Sequence, residues 1–137
     1  MTSISAIRDG VKTRLETIAG LRVHDTVPGQ VSPPAAVVAP APGTFLTYNV
    51  TTDGAEDVTL VVTLLVSDAV DRAAQDALDA YLADSGASSV KAAVDGGITL
   101  GGAAHFATVT SARNYGLIDY GGVQYLGCEF VVTVGAL

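Results

Sequence analysis

The chain has 137 residues, a net charge of −7 and a single cysteine. A chain of this length forms one domain, residues 1–137, with a core that needs no disulfide. The single Cys128 excludes an internal disulfide and a cysteine-based zinc knuckle, and the acidity disfavours nucleic-acid binding through phosphate neutralisation.

The first predicted element is an amphipathic helix. Five apolar residues are spaced three or four positions apart, which places them on one stripe of a helix. They are Ile4, Ile7, Val11, Leu15 and Ile18. Ser3 or Ser5 can cap the start of this helix and Gly20 its end. Gly10 is expected to weaken its middle.

Prolines then divide the chain into short extended pieces. Residues 21–24 are predicted to be extended, and residues 26–34, with three prolines and a glycine, form an irregular connecting arm. A brief strand is predicted at residues 35–39 and ends at Pro40 and Pro42. A further strand is predicted at residues 44–51.

The middle of the chain changes from strand to helix. Residues 58–66 carry an apolar residue at every second position, which predicts a central strand. From Ser67 or Asp68 the apolar period becomes helical and includes Val70, and Ser85 with Gly86 ends this second helix. A short third helix, capped by Ser88 or Ser89, is predicted to reach Val94.

The last third returns to strands. Residues 105–113 and 117–120 favour extended structure, Gly121 and Gly122 suit a tight hairpin turn, and residues 123–134 form the final strand with Cys128 facing inward. The predicted fold class is therefore α+β. We expect a single antiparallel or mixed sheet of about four to six strands, packed by an N-terminal helix and one or two central helices.

Residues capable of catalysis are present, but their spacing indicates no site. His24 and His105 belong to no metal-binding pattern. Ser111, His105 and Asp119 could compose a triad, but no Gly-x-Ser-x-Gly turn presents the serine. We therefore expect no catalytic residue, no metal and no cofactor, and a protein that is not an enzyme.

No targeting or membrane segment is expected either. The first residues lack the features of a secretory signal, which predicts folding in a cytoplasm. The longest apolar run, at residues 58–66, is too short to cross a bilayer, so no membrane partner is predicted.

Three segments near the N-terminus resemble one family. They read AIRDGV at 6–11, LETIAGLRVHD at 15–25 and VPGQVSPPAAVV at 27–38. These segments are similar to tail terminator or head-to-tail connector proteins of long-tailed (siphovirus-type) phages that infect actinobacteria. The resemblance is strongest over about the first forty residues, and the Gly-Gly hairpin and final strand fit it more loosely.

The resemblance implies a structural virion protein at the head–tail junction, assembled in the host cytoplasm. Such a protein forms a homo-oligomeric ring, expected to be a hexamer, that caps the tail tube protein and stops its polymerisation. The ring also joins the tube to a head-side stopper or adaptor protein. DNA would pass through it without specific binding.

Two sets of residues are candidates for these contacts. The proline-rich arms and two tyrosines are candidates for a subunit or partner interface, although the first arm could also be a plain crossover loop. These candidates are Val27, Pro28, Gln30, Val31, Pro33, Pro34, Pro40, Pro42, Tyr48 and Tyr120. Nine acids lie between Asp53 and Asp95, and they face either a lumen or solvent. The acidic candidates are Asp53, Glu56, Asp57, Asp76 and Asp79.

Other functions remain open from the sequence. A head-closure stopper or another connector subunit would bind a head-side adaptor instead of the tube. A tail tube subunit would polymerise alone. A small-ligand-binding domain or enzyme would show a pocket near His105 with converging polar groups. An acidic DNA mimic would use the charge between Asp53 and Asp95.

Overall fold

A computed structural model describes residues 3–25, 29, 31–48, 56–97 and 99–136. This part of the chain forms three α-helices, one 3-10 turn and six strands. In chain order they are α1 (Ile4–Leu15), β1 (Arg22–His24), β2 (Ala35–Pro40), β3 (Leu46–Thr47), β4 (Glu56–Ser67), α2 (Arg72–Leu82), α3 (Val90–Asp95), the 3-10 turn (Leu100–Gly102), β5 (Ala104–Tyr120) and β6 (Val123–Ala136).

The strands belong to one mixed sheet in the order β1–β2–β4–β6–β5. The β1–β2 pair is parallel, and every other pair is antiparallel. The short β3 pairs with the start of β4, on the same edge of β4 as β2. This arrangement confirms the predicted α+β class and the central position of the strand at residues 58–66. The sheet is mixed, one of the two predicted alternatives.

The helices cover one face of the sheet, here called the helix face. The even-numbered apolar residues of β4, from Val58 to Val66, pack in one core cluster with Leu15, Leu78 and Val94 from the three helices. On the opposite face, Val61 and Leu65 of β4 are also buried but lie outside that cluster. β4 therefore buries apolar side chains on both faces of the sheet, as expected of an inner strand.

Two helix boundaries differ from the predictions. α1 ends at Leu15, and Ile18 is buried in the turn that follows it. α2 begins only at Arg72 because Asp71, not Ser67 or Asp68, caps it: its carboxylate accepts the Ala74 N–H at 2.8 Å. Val70 therefore lies outside the helix and is 55% exposed.

Two strand predictions also differ from the structure. β3 contains only Leu46 and Thr47, and the end of the strand predicted at 44–51 lies outside the described residues. The separate strands predicted at 105–113 and 117–120 are one strand, β5, because a bulge between Arg113 and Gly116 maintains pairing with β6. Asn114, in the bulge, has a φ of 58°, which asparagine tolerates better than most residues.

Gly10 does more than weaken α1. A Cβ at Gly10 would lie 2.8 Å from the Cβ of Leu100, so the glycine lets α1 approach the 3-10 turn. The cost of glycine in a helix is offset here by close packing. Ser89 is confirmed as the cap of α3: its hydroxyl accepts the Ala92 N–H at 3.0 Å.

Side chains of α3 close one end of the outer edge of β5. The Asp95 carboxylate accepts hydrogen bonds from the Thr108 hydroxyl at 3.0 Å and the Val109 N–H at 3.4 Å. Lys91 lies 2.6 Å from the other Asp95 oxygen and donates to the Val109 carbonyl at 3.4 Å. Burial raises the pKa of Asp95, but the Lys91, Thr108 and Val109 hydrogen bonds outweigh it and hold that pKa below its ordinary value.

We expect the stabilising contribution of Asp95 to depend on pH. Because its pKa is lower in the folded protein, the contribution is complete above the unfolded value of about 3.9 and is lost as pH falls through the folded pKa. The pair is partly exposed, so Asp95→Asn should cost no more than about 1 kcal/mol near pH 7. Urea unfolding over a pH series should show this cost vanishing in acid. The control Asp84→Asn removes one exposed carboxylate and should change the free energy of unfolding at pH 7 by less than about 0.5 kcal/mol.

Candidate functional site

The first proline arm lies at the end of the sheet that contains the β5–β6 turn, here called the hairpin end. Val31 and Gly29 line a cleft of about 260 Å³ with Tyr120, Val123 and Tyr125. The Gly29 carbonyl approaches Gly121 so closely that a Cβ there would lie 2.8 Å from its oxygen. The structure thus brings together two predicted interface residues, Val31 and Tyr120, that are far apart in sequence.

Pro33 and Pro34 connect this cleft to the helix face. Both are half-buried and directly precede β2. Pro34 lines a second cleft of about 320 Å³ with Val66, Asp71 and Tyr81, at the start of α2. Burial raises the pKa of the Tyr81 phenol. The described part of the arm therefore wraps the hairpin end of the sheet.

The second set of predicted interface residues lies at the other end of the sheet, here called the Tyr48 end. Pro40 pairs with Leu60 near the start of β4 and is half-buried, and Pro42 is exposed. Tyr48 follows β3 and is 66% exposed, the highest value among the large exposed hydrophobic residues described. A tyrosine this exposed contributes little to the core and is available to a partner.

The predicted interface residues therefore divide between two opposite ends. β4 runs from the Tyr48 end to the hairpin end, and its length separates them by roughly 35 Å at 3.3 Å per residue. Val27, Pro28 and Gln30 lie outside the described residues.

The acidic candidates do not form one surface. Glu56 and Asp57 are half-buried at the Tyr48 end, and Asp53 lies outside the described residues. Asp76 and Asp79 are exposed on α2, between the exposed Asp68 and Asp84. The acids around α2 therefore form a solvated surface on the outer side of the helix layer.

Tyr115 connects this acidic surface to β5. Its hydroxyl donates to Asp79 at 3.1 Å, and its side chain is 51% exposed. Partial desolvation, followed by the Asp79 hydrogen bond and charge, raises the pKa of the Tyr115 phenol. Tyr115 therefore stays a neutral donor over the physiological range.

The residues of the possible catalytic triad are too far apart to act together. His105, Ser111 and Asp119 all lie on the single strand β5, so the His105 and Asp119 side chains are roughly 45 Å apart at 3.3 Å per residue. Burial and the nearby Glu129 charge raise the pKa of Cys128 to about 12, so its thiol stays protonated. Within the described residues, no three histidine, cysteine or acidic side chains are grouped to hold a metal.

Two exposed apolar side chains on the β5–β6 hairpin, one on each face of the sheet, were missed by the sequence analysis. Leu117 is 56% exposed and Val123 is 44% exposed, although both lie in strands and read as core residues. The sequence carries no signal for this exposure, because the continuity of β5 past its bulge depends on long-range pairing with β6.

No protein-family model and no curated protein matches the chain. Among the helices described, none has both the length and the apolar character needed to cross a bilayer.

Proposed function

We propose that the protein is a tail terminator of a long-tailed phage, a structural subunit whose ring caps the tail tube and joins it to the head-side connector. The observation that carries this proposal is the division of the candidate interface residues between two opposite ends of one sheet. A subunit positioned between a tube and a connector needs two such surfaces. The resemblance of the N-terminal segments supports the same role.

Each end has the character of a protein contact. The Tyr48 end presents an exposed tyrosine beside Pro42, and the hairpin end presents a cleft lined by Val31, Tyr120 and Val123. Tyrosines are enriched in interfaces because they bury a large area with few rotatable bonds. Proline segments lose little further entropy when they dock.

The charge of the chain suits a ring through which DNA passes. The exposed acids around α2 are not neutralised by an equal number of cations, since Arg72 is the only basic residue between Asp68 and Asp84. Like charge prevents DNA from adsorbing to such a surface.

The proposal is tested by mixing the purified chain with tail tube protein that is polymerising. We expect tubes of limited length with a ring on one end, visible by electron microscopy, and a ring mass by mass photometry. Uncapped tubes together with a monomeric chain would contradict the proposal. A head-closure stopper would instead bind the head-side adaptor and leave tube growth unchanged.

Two variants test the separate roles of the two ends. Tyr48→Asp and Val123→Asp each add a charge at an exposed position, so each should leave the fold intact. We expect one of them to abolish tube capping and the other to leave capping unchanged but abolish binding of the head-side protein. Pull-down with each partner separately measures this. Loss of both interactions in both variants would contradict a two-ended subunit.

A further inference from the structure

The outer edge of β5 is open beyond the α3 side chains. Lys91 and Asp95 close this edge only at Val109. Between Ser111 and Asp119, the only hydrogen bonds that the β5 backbone makes within the described residues are those to β6. An open strand edge is a template for pairing with another strand.

The hairpin geometry identifies which backbone groups are open. Gly121 and Gly122 have φ values of 61° and 82°, as in a two-residue type I′ turn closed by Tyr120 and Val123. Because hydrogen-bonded and non-hydrogen-bonded pairs alternate, the N–H and C=O groups of Leu117 and Asp119 point away from β6. Leu117 also presents its side chain to solvent at this edge.

The opposite edge of the sheet is open as well. In β1, the Arg22 N–H donates to Pro34 at 3.1 Å, so Arg22 and His24 face β2. The backbone groups of Val23 then face outward, and within the described residues no hydrogen bond reaches them. One molecule therefore carries an unpaired stretch on β5 and, on the opposite edge, unpaired backbone groups at Val23 of β1.

These two edges are compatible in direction. The pairing pattern makes β1 and β5 run in opposite directions. The paired residues across the sheet show which part of β5 lies at the same height as β1. Arg22 pairs with Ala35, Ala35 with Leu65, Leu65 with Gly127 and Gly127 with Gly116, so Arg22 and Gly116 lie at the same height. Leu117 and Asp119 lie nearer the hairpin turn than this level. A neighbouring copy shifted by about two residues along the strands brings its β1 antiparallel to them, and a closed ring allows such a shift when its strands are tilted to the ring axis. Antiparallel pairing is the more stable ladder.

Charges beside the two edges are complementary. Next to β1, Arg8 of α1 donates to the Asp25 carbonyl at 3.1 Å, and its buried Nε has no hydrogen-bond partner within the described residues. Next to β5, on the same face of the sheet, Asp79 is exposed beside Tyr115. Side-by-side copies would bring this cation towards this carboxylate.

We propose that β5 of one copy pairs with β1 of a second copy, so that the sheets of neighbouring subunits join head to tail. The inference rests on the proposed ring, and it names the contact that closes it. A heterologous contact of this kind closes a ring when the rotation between copies is a whole fraction of a turn. It also covers Leu117 and the open backbone groups of β5.

The first test places a charge on the open edge. Leu117→Lys should weaken association at least ten-fold, measured by sedimentation of the chain alone and with tail tube protein, because an edge lysine opposes strand pairing. The matched control is Val70→Lys, which changes an equally exposed apolar residue outside both edges and should associate normally. If Leu117→Lys still forms rings like the wild type, the strand pairing is wrong while the ring stands. If the wild type forms no ring under either condition, both proposals fail.

The second test identifies the partner strand. The double variant Arg22→Cys/Leu117→Cys, treated with a short bis-maleimide, should give a ladder of covalent multimers on a denaturing gel. Each single variant should stay monomeric, since Cys128 is buried and its thiol is protonated. Dimers from Leu117→Cys alone, with no ladder from the double variant, would show β5 pairing with β5 and would overturn the proposal.

Discussion

Gly127→Ala is expected to lower the free energy of unfolding by about 3 kcal/mol or more. Gly127 is buried in β6 opposite Leu65, where β4 is irregular between Leu65 and Ser67. A Cβ at this position would overlap the carbonyl oxygen of Leu64 and crowd the Leu65 backbone. Backbone atoms of a central strand cannot move aside as a flexible side chain can, so the two inner strands would have to separate. Urea unfolding followed by circular dichroism measures the change.

Gly135→Ala is the matched control. Gly135 is also a buried glycine of β6, but there the three atoms nearest the added Cβ all belong to the ring of Phe106. Phe106 is 42% exposed, so its ring can rotate towards solvent. We expect a loss below about 1 kcal/mol. Equal losses in the two variants would contradict the close approach of β4 at Gly127.

Leu78→Ala should cost about 3 kcal/mol, within the range for fully buried leucines. Leu78 is the central buried residue of α2 and is inaccessible to solvent. Its loss leaves a cavity between α2 and the sheet that neighbouring helices cannot fill without moving from their own contacts. Denaturant unfolding at a fixed protein concentration is the measurement, because association also affects apparent stability.

Gln75→Ala is the control on the same helix. Gln75 is exposed, and alanine is at least as good a helix former, so a change within about 0.5 kcal/mol is expected. A Leu78→Ala variant as stable as Gln75→Ala would mean that α2 does not pack on the sheet through Leu78.

Periodicity was sufficient to predict α1 and β4. The stripe from Ile4 to Leu15 and the alternation from Val58 to Val66 predict α1 and β4 because burial repeats with the period of the element. The predicted start of α2 was wrong for a local reason. Ser67, Asp68 and Asp71 are all good caps, and only the end of β4 determines which one is used.

The continuity of β5 could not be read from the chain. Residues 113–116 are polar or small and suggest a loop, but the ladder with β6 tolerates a bulge there because two residues share one partner position. The surfaces depend on the same long-range pairing. Val31 and Tyr120 meet only because the sheet brings the arm beside the hairpin turn.

The position of β6 has a kinetic consequence. The ladder between β4 and β6 joins Glu56 to Ala136, with both central helices and all of β5 between them in sequence. Contacts of such large sequence separation form late and slow the folding of a domain. While a ribosome is still adding β5, the apolar β4 has one bare edge and no local partner to cover it. The nascent chain therefore depends on the timely arrival of its last strand to avoid aggregation.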